Sequence, residues 1–276
     1  MMELEITTFF VLSDELMKVM DIKEDSQVKM NNAEVITVPL TAARFFGGHI
    51  ENARNFLKEH GYITDMLSES RLNRRIHALD DSVWQNLFTI LSETAKQSNT
   101  TQEYIHDSFP IPVCDNIRIN RSKIFKGEEY RGYIPSKRRY FYGLRVHMTV
   151  TGNGEPVEFL IAPGAPADIS IFRELNFDLP PGSEISADKA YNDYNFEDML
   201  REAVGITLKP IRKKNSVRAT DSSFERRGHQ AFRKRVETSY SVITHFFPKS
   251  IHAVTPKGFI LKVIAFIIAF SFTYII

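Results

Sequence analysis

The sequence predicts an α/β protein: a mixed sheet with flanking helices, preceded by a small all-α N-terminal region. Three observations carry this. Apolar residues in the first hundred positions recur at helical spacing, and from Tyr104 onward they alternate. The later segments then run strand, hairpin of two strands, helix, strand, helix, strand, long helix. Composition agrees with a folded chain. With 276 residues, 43% of them hydrophobic and 25% charged, the chain can bury one large core or two modest ones, which excludes disorder, collagen-like repeats and a disulfide scaffold. The single Cys114 cannot form an internal bridge and points to a reducing, cytoplasmic compartment. Residues 1–12 carry Glu3 and Glu5 and no basic start, which argues against a signal peptide.

Each segment has its own signal. Residues 42–60 read as a helix pair broken at Gly47-Gly48 and stopped by Gly61. Ser70 opens the next helix, with Leu72, Ile76 and Leu79 on one face and Arg71, Arg74 and Arg75 on the other. Such a helix suits either DNA recognition, as in a helix-turn-helix, or the surface of a small bundle. Residues 92–101 are polar and aperiodic and read as a linker, which divides the chain into 1–100 and 101–276. In strand 104–109, Ile105, Asp107 and Phe109 share a face. In strand 140–150, Leu144, Val146, Met148 and Val150 face one way, and Arg145, His147 and Thr149 the other. Asn153-Gly154 signals a hairpin, with Val157, Phe159 and Ile161 on the returning strand.

Residues 168–175 suggest a short helix with Asp168 as its N-cap. A strand at 184–188 precedes a helix at 193–203, which Gly205 ends, and residues 206–208 form a last strand. Phe232, Val236, Tyr240, Ile243 and Phe247 mark a long helix. A hairpin followed by βαβ units implies a mixed sheet covered on both faces, the order of the ribonuclease-H-like fold. Residues 263–276 are uncharged but fall short of the roughly 20 that span a bilayer, so a buried C-terminal helix is expected and no membrane partner.

Charge is unevenly spread. The net +1 combines 10 basic and 15 acidic residues in 1–100 with a basic excess in the remainder. Residues 209–235, which include Arg212, Lys213, Lys214 and Arg233, hold ten basic side chains against Asp221 and Glu225. A second run, Arg138, Arg139 and Arg145, accompanies a strand. Basic stripes beside ordered elements suit a polyphosphate partner better than a solvated tail does.

Three acids stand out against this background. Asp107 sits on an apolar strand face, where a carboxylate is costly unless paired or bound to metal. Asp188 ends its strand and is followed by Lys189, and Glu237 lies at the margin of the long helix's apolar stripe. In the proposed sheet order the strands of Asp107 and Asp188 are neighbours and the long helix packs over their ends, so the three converge. Taken singly, each acid has a plain alternative: a turn cap before Pro110, a pair with Lys189, a bridge to Arg233. Together they suit hard cations with oxygen ligands, Mg²⁺ or Mn²⁺. Two such ions roughly 4 Å apart can activate an attacking oxygen and stabilise the leaving one at phosphorus. Zinc and hydrolase chemistries find no support: one cysteine and eight scattered histidines show no ligand spacing, and there is no G-x-S-x-G elbow.

The segments Ile105-His106-Asp107-Ser108-Phe109-Pro110, Tyr142-Gly143-Leu144-Arg145-Val146-His147, Asp188-Lys189-Ala190-Tyr191 and Arg233-Lys234-Arg235-Val236-Glu237-Thr238 together resemble bacterial insertion-sequence transposases of the DDE type. The group they resemble is the one numbered nine-eight-two, within the set related to the type-four insertion sequences. The likeness runs from about Val38 to the C-terminal helix and includes Arg71-Leu72-Asn73-Arg74-Arg75. It implies a DDE triad at Asp107, Asp188 and Glu237 that holds two Mg²⁺ or Mn²⁺ ions, and an Arg-x-x-x-Glu signature at Arg233 and Glu237. It implies a transposase that cuts element ends and joins the freed 3′-hydroxyl to target DNA, acting as a homodimer. DNA contacts are expected at Arg71, Arg74, Arg75, Lys189, Arg212, Lys213, Lys214 and Arg233. Two departures fall where the family grips its DNA ends: Gln230 replaces a tyrosine, and Thr244 replaces a lysine. The rival expectations are a metal nuclease of the same fold and a transposase-derived DNA-binding regulator without chemistry.

Overall fold

The computed structural model describes residues 1–25, 27–114, 116–212, 216–218, 238 and 240–276. They divide into two compact units, residues 1–91 with 246–276, and residues 92–245.

The first unit is helical. Its elements are α1 (Met2–Val19), α2 (Asn32–Phe45), α3 (Ile50–Glu59), α4 (Glu69–Ala78) and the start of α5 (Asp81–Ser98), joined by the C-terminal α8 (Pro256–Phe272). Asn31 caps α2 in a capping box: its side chain accepts from the Glu34 N–H at 2.8 Å, and the Glu34 carboxylate accepts from the Asn31 N–H at 2.8 Å. α2 and α8 are buried nearly all round and pack together, as helices apolar on every side must. The helix pair expected around Gly47-Gly48 is present as α2 and α3. Nine residues separate α3 from α4, too many for the tight three- or four-residue turn of a helix-turn-helix. The C-terminal helix, assigned above to the second domain, groups instead with the N-terminal helices, because its all-apolar surface finds its cover in α2. Among the described residues no helix is long and apolar enough to cross a membrane.

The second unit is built on a sheet of β1 (Glu103–Cys114), β2 (Arg131–Ile134), β3 (Arg139–Thr151), β4 (Pro156–Pro163), β5 (Glu184–Ala187) and β6 (Thr207–Pro210). β3 is antiparallel to β1, while β5 and β6 run parallel to it in the order β3-β1-β5-β6. Both β2 and β4 pair with β3, β2 along residues 139–142 and β4 along 144–150. Helices α6 (Asp168–Phe172) and α7 (Tyr194–Met199) lie in the connections, and Gly205, at φ 73°, ends the turns that prolong α7. One face of the sheet carries a core of Tyr104, Phe172, Ile185, Ala187, Tyr191, Phe196 and Leu200.

Three segments differ from expectation. The linker at 92–101 is mostly helix, the last turns of α5. Lys96 there is buried, and its ammonium donates to the Asp178 carbonyl (2.8 Å) and carboxylate (3.0 Å), so its polarity marks cross-links rather than exposure. β1 runs on through Pro110 and Pro112 to Cys114. The β5 ladder stops at His106↔Ala187, and beyond it prolines are tolerated along an edge that needs no donors. The polar face of β3 is covered as well: His147, Thr149 and Thr151 are all fully buried, so both faces of this central strand are dry.

Candidate active site

The parallel ladder of β1 and β5 positions the acids. Tyr104 lies opposite Ile185, Ile105 opposite Ser186, and His106 opposite Ala187. One further step of the same register sets Asp188 beside Asp107 on neighbouring strands, which lie about 4.8 Å apart. Side chains alternate between faces, so both acids share the face of Ile105 and Ser186 and lie opposite the core of Tyr104 and Ile185.

The two carboxylates have different surroundings. Asp188 is exposed and caps a short 3₁₀ turn, its carboxylate accepting from the Lys189 N–H at 2.6 Å. Asp107 is half-buried by accessible surface, but its carboxyl reaches deep enough that burial is the main influence on its titration. Burial pushes the Asp107 carboxyl up to about 7; the Ser108 N–H and Arg145 oppose the rise, and the Asp168 and Asp188 carboxylates add to it. The Ser108 N–H donates to the Asp107 carboxylate at 2.8 Å, and the Asp107 N–H donates to the Tyr240 hydroxyl at 2.8 Å. That hydroxyl in turn donates to the Met148 carbonyl. Tyr240, expected only as part of an apolar stripe, therefore pins the backbone of the acid strand.

A second cluster lies beside Asp107 on the opposite face. Asp168 is not the N-cap of α6; Ala167 holds that place and makes no side-chain cap. The Asp168 carboxylate instead accepts from the Ser108 hydroxyl (3.0 Å) and from the Arg145 guanidinium (3.1 Å). Arg145 also donates to the Ser108 hydroxyl (3.2 Å) and the Tyr133 carbonyl (3.0 Å), and its guanidinium lies 5.5 Å from the Phe141 ring centre. Ser108, Arg145 and Asp168 thus form a closed network next to the acid, joined over sequence distances that no local spacing discloses. Gly143, inside the Tyr142–His147 motif, is required by the same packing: a Cβ there would collide with the Ile111 carbonyl across the β1–β3 ladder.

Residues 97–246 match the family model for the transposase DDE domain. The chain belongs to the transposase DDE domain family. The match covers more than half of the chain, from the C-terminal end of α5 through every strand of the sheet. No curated protein and no solved structure matches it.

DDE transposase domains generally depend on divalent metal. Aspartate carboxylates at the next step of this register, one of them exposed, offer the oxygen donors that Mg²⁺ or Mn²⁺ takes. Among the described residues no three acidic, histidine or cysteine side chains come together as a complete metal site. Glu237 lies outside the described residues, as do Arg233, Lys213 and Lys214.

The remaining basic residues expected to contact DNA have distinct placements. Arg71 and Arg74 are exposed on α4 in the helical unit. Arg75 donates to the Asn32 side chain at 2.9 Å and lies 3.8 Å from Glu24. Lys189 is exposed on the turn that Asp188 caps. Arg212 makes a bidentate pair with the buried Glu197, both contacts at 2.6 Å. In the run at 209–235, Lys209 pairs with Glu184 (2.6 Å), and Arg218 pairs with Asp198 (2.6 Å) and Glu197 (3.4 Å). The described part of that run therefore closes onto acids of its own unit.

Proposed function

We propose that this protein is the transposase of an insertion sequence, of the group numbered nine-eight-two related to the type-four elements. It binds element ends and catalyses metal-dependent DNA cleavage and strand transfer. The observation that carries this is the parallel β1–β5 register, whose next step beyond His106 and Ala187 is Asp107 and Asp188 on one face, in a transposase DDE domain. The strand order, with β1 central and β5 and β6 parallel beside it, supports a ribonuclease-H-like fold.

Asp107 and Asp188 would hold Mg²⁺ or Mn²⁺, two ions in all, and Glu237 would complete the set. Tyr240, three positions after Glu237 in the sequence, bonds the Asp107 backbone, which supports that assignment. Bound divalent cations would supply activation of the attacking oxygen and charge stabilisation at the leaving one. The chain's own contribution is positional. The Tyr240 hydroxyl fixes the Asp107 backbone, the Ser108 N–H orients its carboxylate, and Arg145 holds Asp168 and Ser108 beside it. Exposed Lys189 is placed to meet a phosphate near Asp188, and Arg233 is assigned the same role from the sequence. Arg71 and Arg74 of α4 are assigned to element-end DNA. Arg75, Arg212, Lys213 and Lys214 remain lesser candidates, the first two because their guanidinium groups are already engaged. Two ends must be handled together, so a homodimer belongs to this reading.

The test is Mn²⁺-dependent cleavage of the DNA flanking the gene, comparing the wild type with Asp188→Asn. The wild type should cut and join strands, a chelator should stop both, and Asp188→Asn should lose at least about a thousandfold in rate, the scale of several kcal/mol of charge stabilisation. DNA binding should survive the substitution. Cleavage at the wild-type rate by Asp188→Asn would sink the assignment. Cutting without joining would make the protein a nuclease, and binding without cutting by the wild type would make it a regulator.

A further inference from the structure

The β2–β3 hairpin carries Arg138 and Arg139 of the second basic run and holds none of the triad acids. Tyr133 and Tyr140 face each other across its ladder, their rings 4.8 Å apart and tilted by 50°. They remain 41% and 54% exposed, an unusual state for two large aromatic rings in a strand pair. Around them the segment 131–140 holds Arg131, Lys137, Arg138 and Arg139 and no acid. Lys137 and Arg138 form the tip, Arg138 in the left-handed region at φ 47°. Arg131 shares the tyrosine face and pairs with Glu128 at 3.2 Å, both side chains largely exposed.

The face matters. Met148 lies opposite Asp107, and alternate residues back along β3 from Met148 reach Val146, Leu144, Tyr142 and Tyr140. The tyrosine pair is therefore on the same side of the sheet as Asp107 and Asp188. The phenyl group of Phe141 confirms the alternation, since it meets the Arg145 guanidinium on the other side. Eight residues of strand separate Tyr140 from Met148, roughly 26 Å at 3.3 Å per residue. That is the length of about seven or eight nucleotides at 3.4 Å each.

We propose that this hairpin is a DNA-contacting arm: the Tyr133–Tyr140 pair stacks on an unpaired nucleotide of the strand running from the acids, and Lys137 and Arg138 bind adjacent phosphates. The proposal rests on the transposase reading for its partner. Exposed aromatic faces flanked by cations are the platform that unpaired nucleic acid uses, because a base offers its face only outside the duplex. Two tilted tyrosine rings beside a cationic tip match a base together with its phosphates, and charge complementarity to a polyanion is direct.

Anisotropy with the full chain tests it, using a fluorescein-labelled duplex of the gene's flanking DNA, either blunt or with a short 3′ single-stranded tail. The wild type should prefer the tailed DNA. Tyr133→Ala with Tyr140→Ala should weaken tailed-DNA binding about tenfold, to the blunt value, by loss of stacking. Tyr133→Phe with Tyr140→Phe should retain the preference, since the ring faces remain. Lys137→Ala with Arg138→Ala should reduce the slope of log affinity against log salt by about two. Unchanged binding by the alanine pair, equal loss in the phenylalanine pair, or an unchanged salt slope would each overturn the arm while leaving the acid site intact. A wild type that neither binds nor cuts either DNA would remove the transposase reading itself.

Discussion

In residues 1–91 with 246–276 several buried hydroxyls bond within a turn of their own helix, whereas in residues 92–245 the side-chain bonds that hold buried and half-buried groups run between distant segments. In the helical unit the buried Ser13, Thr37 and Ser271 hydroxyls donate to carbonyls four residues back, at 2.7, 2.8 and 3.1 Å. Among the described residues of that unit, the buried Glu5 pairs over a long range with Arg44. In the sheet unit Asp107 reaches Tyr240, Arg145 reaches Ser108 and Asp168, Arg212 reaches Glu197, and Lys96 reaches Asp178. The difference teaches where chemistry is kept. A core of packed helices can keep its polar groups local, while a sheet that holds acids in place needs braces from distant parts of the chain.

The largest expected effect comes from the purely packed side. Phe266 in α8 is buried, its ring 5.0 Å from Phe247 and 6.1 Å from Phe246. Phe266→Ala leaves a cavity and should cost about 3–5 kcal/mol. Urea denaturation of the full chain measures this. A loss below about 1 kcal/mol would mean that the helical unit is not held by this apolar contact, and the contrast between the units would weaken.

The same contrast explains what was legible beforehand. Helices α3 and α4 follow from apolar spacing and glycine stops, and β1, β3 and β4 follow from alternation plus the Asn153-Gly154 turn, because both signals are local; the four-residue β2 is too short to show one and was not expected. The expectation that Asp107 and Asp188 are neighbours rests on topology, and the observed β1–β5 pairing is parallel with a register that leads to both. Asp168 was misread as a helix cap because Asp before a short helix is a cap pattern, and only the fold brings Arg145 and Ser108 to it. Ser92–Thr101 looked like a linker for a related reason. Lys96, Asn99 and Ser92 are polar yet buried, and composition alone does not distinguish a polar residue that is solvated from one that is braced.

Next in size is the brace itself. Asp168 is 23% exposed and Arg145 11%, so removing the carboxylate leaves a guanidinium with little solvent. Asp168→Ala should cost about 2–3 kcal/mol, below the range for fully buried pairs because water still reaches the site. Asp168→Asn keeps the shape and should lose less stability. If the network positions Ser108 and the Asp107 carboxylate, both variants should lower the cleavage rate at saturating Mn²⁺ while leaving the DNA Kd in place. Stability loss with an unchanged rate would make this a packing device like those of the helical unit, and the comparison would break at its most informative point.

The smallest effect concerns a buried group that the sheet unit leaves without a brace. His147 is fully buried, and neither ring nitrogen has a hydrogen-bond partner among the described residues. Burial pushes its pKa down from 6.5 to about 4; Asp168 opposes the shift and Arg145 adds to it. The folded imidazole thus stays neutral while the unfolded one takes a proton below about 6.5. Between those values the unfolded chain binds more protons, so stability falls as pH falls, by up to about 1.4 kcal/mol per pH unit from this one group. Above pH 6.5 the group contributes no slope. His147→Leu loses no hydrogen bond and keeps a similar volume, so at pH 8 it should match the wild type within about 1 kcal/mol. Between pH 6.5 and 5 it should lose less stability than the wild type. Equal acid sensitivity in the two proteins would place the proton uptake elsewhere. A large loss at pH 8 would show that the imidazole is held after all, and that this unit braces His147 as it braces Asp168.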